Sequence, residues 1–144
     1  MNVLIAEHDG MQRRMACDAV SDLGMNVCAA DGGLLALETL AARRNIDLLV
    51  TDVSLPVIEG YRLVDMAKIR LPNLRIIYLA DDRYVAETKI GRVHGEIIAK
   101  PYVCCQLQKA VARAFATTPD AICGVLARHA HLFDGCSASV PVLI

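Results

Sequence analysis

The chain has 144 residues, 55% of them hydrophobic and 22% charged, with 15 basic side chains against 16 acidic ones and a formal net charge of −1. That length suits one domain, enough to bury roughly two-thirds of the surface that the unfolded chain exposes. The apolar, nearly neutral composition excludes an intrinsically disordered chain and a surface built to coat nucleic acid.

In chain order, the first element is an apolar run of strand length, Asn2 to Ala6, which ends in Glu7, His8 and Asp9. Met11 to Leu23 follows with helical period. Met11, Met15, Ala19 and Leu23 recur at i, i+4 and are expected to form its buried stripe, leaving Gln12, Arg13 and Asp18 to water. Gly24 stops this helix. A second strand, Asn26 to Ala30, leads into a helix from Gly33 to Arg43 that Asn45 ends. The third strand, Asp47 to Thr51, ends in Asp52, and a helix is expected from Tyr61 to Ile69, with Pro72 as the breaker. The fourth strand, Arg75 to Leu79, ends in Ala80, Asp81 and Asp82 and precedes a helix from Tyr84 to Ile90. The fifth, Glu96 to Ala99, ends in Lys100 and Pro101, and a helix from Cys104 to Ala116 closes the series.

Five strand-helix units with strands apolar on both faces specify an α/β domain with a doubly wound five-stranded parallel sheet. In such sheets ligands bind beyond the carboxyl ends of the strands, at the point where strand order reverses. Those ends carry Glu7, His8, Asp9, Asp52, Asp81, Asp82 and Lys100. Clustered carboxylates repel unless a cation neutralises them, so the grouping points to a hard divalent ion such as Mg²⁺. A carboxylate, a divalent ion and a lysine are the parts an aspartyl-phosphate requires.

NVLIAEHD, then DLLVTDVSLPVIEGYRLV, then IIAKPY resemble the three landmark segments of bacterial two-component response-regulator receiver domains. The middle one is the most specific: an aspartate ending an apolar strand, a proline four residues on and a glycine eight residues on (Asp52, Pro56, Gly60). The resemblance covers residues 1–116, leaving 117–144 as a C-terminal extension. It implies a (βα)5, flavodoxin-like fold with strand order 2-1-3-4-5. It aligns Asp52 with the phosphoacceptor, Glu7 with the first acid of a metal pair, the Ser54 carbonyl with a metal ligand and Lys100 with the phosphate-sensing lysine. A histidine kinase or phosphotransfer protein would be the phosphoryl donor. Output would pass through the face of the fourth helix, fifth strand and fifth helix to a protein partner of unknown identity.

Three positions depart from that pattern. His8 stands where the second metal acid is expected, and imidazole is a poor ligand for Mg²⁺; Asp9 is the alternative donor, and His8 itself would suit Mn²⁺. Ala80 replaces a hydroxyl donor to the phosphoryl group. Ile97 replaces the aromatic switch residue, so an inward-to-outward ring exchange has no counterpart. Two functions follow: a phosphorylatable receiver with altered metal and switching chemistry, or a pseudo-receiver that binds partners without phosphate. Neither is a metabolic enzyme. A flavodoxin-type electron carrier lacks its phosphate-cradling loop and its covering aromatics, and a hydrolase lacks a second acid placed as general base.

The remaining features read as structural. No stretch reaches the ~20 apolar residues of a membrane span, and Asn2 to Ala6 is too short for a signal-peptide core, so a cytoplasmic location is expected. The six cysteines, Cys17, Cys28, Cys104, Cys105, Cys123 and Cys136, lack CxxC spacing and are expected to be reduced, mainly small buried hydrophobes. The pairs Arg13–Arg14 and Arg43–Arg44 read as solubilising charge, and His94, His129 and His131 as solvated surface. Residues 117–144 are too few and too neutral for a DNA-binding domain, which leaves protein contact, including a homodimer, as the route of output. Thr118, Pro119 and Asp120 could begin a sixth helix, with disorder as the alternative.

Overall fold

A computed structural model describes residues 1–81 and 94–116. Five parallel strands form one sheet in the order β2-β1-β3-β4-β5: β1 Asn2–Ala6, β2 Asn26–Ala30, β3 Leu48–Asp52, β4 Arg75–Ala80 and β5 Gly95–Ala99. Four helices are described: α1 Gly10–Ser21, α2 Gly33–Ala42, α3 Gly60–Arg70 and α4 Cys104–Phe115. The sheet order and the parallel sense are those expected from the sequence. The expected helix from Tyr84 to Ile90 and the C-terminal extension lie outside the described residues.

Alternation along each strand divides the core in two. Val3, Ile5, Leu48, Val50, Ile77 and Leu79 face α1 and α4, where they meet Ala16, Ala19, Val20, Leu107, Ala110 and Val111. Leu4, Ala6, Leu49, Ile76 and Tyr78 face α2 and α3, where they meet Ala36, Leu40, Leu63, Val64 and Ala67. Small residues on α1 let its backbone approach the sheet closely.

That packing corrects the expected stripe of α1. Met11 is 84% exposed and Met15 is only half-buried, while Ala16, Ala19, Val20 and Leu23 form the buried face. The face is rotated by about one residue because the sheet selects the small side chains at 16 and 19 over the long methionines. Asp9 caps α1 by accepting the Gln12 N–H at 2.9 Å on Oδ1. Gly24, at φ +76°, turns the chain out of the helix. Gln108, buried in α4, donates from Nε2 to the Ala19 carbonyl at 2.9 Å and ties α4 to α1. Arg113 clasps Glu96 through Nε at 3.1 Å and Nη2 at 2.5 Å, which fixes α4 to β5.

The expectation of reduced, mainly buried thiols is corrected at Cys105, which is disulfide-bonded, and at Cys104, which is free but exposed; Cys17 and Cys28 are free and half-buried, and Cys123 and Cys136 lie outside the described residues. Disulfide formation depends on the approach that the fold imposes, so the lack of CxxC spacing had no bearing on it. Burial pushes the thiols of Cys17 and Cys28 above their ordinary range, consistent with unreactive packing residues. No helix among the described residues is long and apolar enough to cross a membrane.

Candidate functional site

The carboxyl ends of β1, β3 and β5 bring Glu7, Asp52 and Lys100 together. Lys100 Nζ lies 2.8 Å from Glu7 Oε2 and 2.7 Å from Asp52 Oδ2, so one ammonium bridges two acids that are 45 residues apart. The other carboxylate oxygens are held by backbone: Ser54 N–H donates to Asp52 Oδ1 at 2.8 Å and Asp9 N–H to Glu7 Oε1 at 3.2 Å. Glu7 and Asp52 are buried, at 2% and 6% exposure. Burial, then the charge of Asp52, raises the Glu7 carboxyl above the usual carboxylate range despite the Lys100 hydrogen bond. Burial alone would lower Lys100, but its hydrogen bonds to Asp52 and Glu7 outweigh this and hold the ammonium above its ordinary value.

The loop that presents Asp52 is shaped by close backbone packing. Gly60 N–H donates to the Val53 carbonyl at 2.9 Å, which folds the start of α3 back over the end of β3. A Cβ at Gly60 would lie 2.1 Å from the Asp52 carbonyl oxygen, so the position demands glycine for space. The left-handed turn in this loop falls on Val57, at φ 68°, rather than on a glycine. On β5, Lys100 N–H donates to the Ala80 carbonyl at 2.8 Å, and the Lys100–Pro101 peptide is cis. A cavity of about 440 Å³ bordered by Gln12, Asp81, Lys100 and Tyr102 opens beside the ammonium.

The side chains of the other expected site residues do not join this cluster among the described residues, and Asp82 lies outside them. His8 is exposed and its Nδ1 lies 3.2 Å from the Asp31 carbonyl oxygen, while the Asp9 carboxylate is engaged as the α1 cap. Ala80 is buried and offers no side-chain donor. Ile97 is buried beside Tyr78, its partner across the β4–β5 pairing. Asp81 is exposed. Arg13, expected to face water, is half-buried, and its Nη1 donates to the carbonyls of Glu7 and His8 at 3.1 and 3.2 Å. The correction has a physical cause: the first turn of α1 lies against the β1–α1 loop, whose carbonyls need donors. No spacing signal in the sequence announces that contact.

Residues 3–112 match the response regulator receiver domain family. The chain belongs to that family. Chemotaxis protein CheY-3 of Vibrio cholerae is 31% identical over 121 residues, covering 80% of this receiver and 92% of that protein. The response regulator protein FleR of Pseudomonas aeruginosa is 30% identical over 115 residues, 77% of this receiver but 24% of FleR, so the chain spans about a quarter of that relative's length. Among solved structures, chemotaxis response regulator CheY4 of Vibrio cholerae superposes with a TM-score of 0.72 at 24% identity, over 79% of this receiver and 98% of that chain. The response regulator TrrA of Thermotoga maritima, solved in complex with Mg(2+)-BeF, superposes with a TM-score of 0.72 at 18% identity, over 79% of this receiver and 98% of that chain.

The donors present in this receiver do not fit a divalent ion well. The Glu7 and Asp52 carboxylates are hard oxygen donors, but Lys100 already bridges them. No group of three His, Cys, Asp or Glu side chains gathers into a metal site among the described residues. Mg²⁺ sheds its waters reluctantly and requires near-octahedral oxygen ligation.

Proposed function

We propose that this receiver accepts a phosphoryl group on Asp52 from a histidine kinase or phosphotransfer protein and passes the signal on by protein contact. The single observation that carries this reading is the Asp52 carboxylate at the end of β3, with Lys100 Nζ at 2.7 Å and Ser54 N–H at 2.8 Å. The backbone donor fixes one oxygen and orients the carboxylate, and the ammonium stands where phosphoryl oxygens arrive. In the transfer, an Asp52 oxygen bonds to phosphorus as the P–N bond of phosphohistidine breaks. The departing imidazole keeps the bonding pair and takes a proton, leaving an acyl phosphate on Asp52.

The added charge draws Lys100 from its bridge toward the phosphoryl oxygens, which frees Glu7. Ala80 supplies no hydroxyl and Ile97 no mobile ring, so this rearrangement of Lys100 is the local event from which output would start. A pseudo-receiver is the second reading, favoured by the same two residues. Intact-mass spectrometry after incubation with acetyl phosphate separates the two. A gain of one phosphoryl group that Asp52→Asn abolishes supports the acceptor; no gain, also with a cognate kinase, leaves the pseudo-receiver.

A further inference from the structure

The charges and donors around Asp52 close on themselves. All four oxygens of Glu7 and Asp52 accept a donor from the protein: Lys100 Nζ reaches one oxygen of each acid, and the N–H groups of Asp9 and Ser54 reach the other two. The positions flanking Glu7 add no negative donor, since His8 sits on the Asp31 carbonyl and Asp9 caps α1. Arg13 donates from Nη1 to the carbonyls of Glu7 and His8, which holds the backbone that carries Glu7 in place. Two carboxylates therefore share one ammonium, while the Arg13 guanidinium is held on the backbone of the β1–α1 loop. A divalent ion entering there displaces Lys100 and gives up hydration for two carboxylates that already have protein donors.

We infer that Lys100 takes the place of a resident divalent cation at the Asp52 site, so that this receiver binds Mg²⁺ and Mn²⁺ poorly and takes its phosphoryl group without them. For phosphoryl transfer the inference rests on the acceptor reading above; for metal binding it rests on the geometry alone. Lys100 is then the cation that both positions the carboxylate and meets the incoming phosphoryl oxygens.

Two measurements on the full chain, under reducing and ionic-strength-matched conditions, test it. The first is thermal unfolding with EDTA, with about 10 mM Mg²⁺ and with Mn²⁺. The melting temperature of the unaltered protein is expected to be the same in all three. Lys100→Met, or His8→Asp where Lys100→Met does not fold, is expected to gain about 5 °C with Mg²⁺, because a vacated or completed acid pair now binds the ion. A rise of several degrees in the unaltered protein overturns the inference, and so does a folded variant that ignores Mg²⁺. The second is acetyl-phosphate labelling read by intact mass, expected to be equal within about twofold in EDTA and in Mg²⁺. Labelling that requires Mg²⁺ overturns the metal-free transfer. Unchanged melting with no labelling at all removes the acceptor reading while the internally neutralised site stands.

Discussion

The Cβ that Gly60 lacks would lie 2.1 Å from the carbonyl oxygen of Asp52 and 2.9 Å from Val53 Cα. The first residue of α3 and Asp52 are thus packed backbone to backbone, and the acid's position depends on a helix start eight residues away. Gly60→Ala is expected to push the β3–α3 loop off the strand end and lower stability by about 3 kcal/mol, measured by urea unfolding. Acetyl-phosphate labelling of Asp52 is expected to slow roughly tenfold, since the carboxylate loses its fixed orientation. Unchanged stability would mean that the loop yields freely and that Gly60 has no hold on the site.

Val57 is a β-branched residue at φ 68°, 86% exposed, and its side chain contributes little to the core to offset a left-handed backbone. Val57→Gly relieves the clash of Cβ with the following carbonyl and is expected to raise stability by about 1 kcal/mol. Chemical denaturation decides it: a lower midpoint at unchanged slope would show that Val57 is anchored by contacts that outweigh its backbone strain.

What the sequence disclosed follows from how each feature is encoded. Strand runs such as Asn2–Ala6 and Asn26–Ala30 are written in contiguous apolar residues, and their observed bounds match the expected ones. The acid-rich strand ends were legible because a parallel sheet gathers its carboxyl ends at one edge, whatever the sequence distance between them. The buried face of α1 was misjudged because the i, i+4 rule ranks Met11 above Ala16, whereas close helix-sheet packing favours the smaller residue. Arg13 on the Glu7 and His8 carbonyls and Gln108 on the Ala19 carbonyl left no trace in the sequence, since a polar side chain aimed at backbone looks like any solvated one. The Lys100 bridge was expected only as countercharge; that it takes both acids at once is a property of three strand ends and not of any motif.

Tyr78 makes the protein sensitive to alkali. Its hydroxyl is buried, and burial pushes its pKa to about 12 despite an opposing interaction with the His94 backbone. Between pH 10 and 12 the unfolded chain releases this proton while the folded one keeps it, so stability is present below pH 10 and falls as pH rises toward the folded value. The full loss for this group is roughly 3 kcal/mol. Lys100, held above its ordinary value by Asp52 and Glu7, adds a loss of the same sign above pH 10.5. Tyr78→Phe removes the titrating hydroxyl and is expected to flatten the decline that begins at pH 10, read from unfolding midpoints across this range. Parallel pH profiles for the two proteins would disprove the assignment to Tyr78.

Glu7 and Lys100 give the acidic counterpart. Because the folded Glu7 carboxyl titrates above its ordinary value, the folded state binds the proton more readily than the unfolded state, and Glu7's ionisation disfavours folding. Protonation of Glu7 therefore adds stability as pH falls toward the unfolded value of 4.5. Lys100→Met strips both buried acids of their shared ammonium and is expected to cost about 4 kcal/mol at pH 7, read from denaturant midpoints. That deficit should shrink on acidification from pH 7 to pH 5, because Glu7 without Lys100 titrates higher still and sheds its charge. Glu7→Gln in the Lys100→Met background is expected to recover part of the lost stability at pH 7 and to weaken the pH dependence. A deficit that is constant across this range, with or without Glu7→Gln, would show that Lys100 stabilises the fold by the packing of its stem and not by charge.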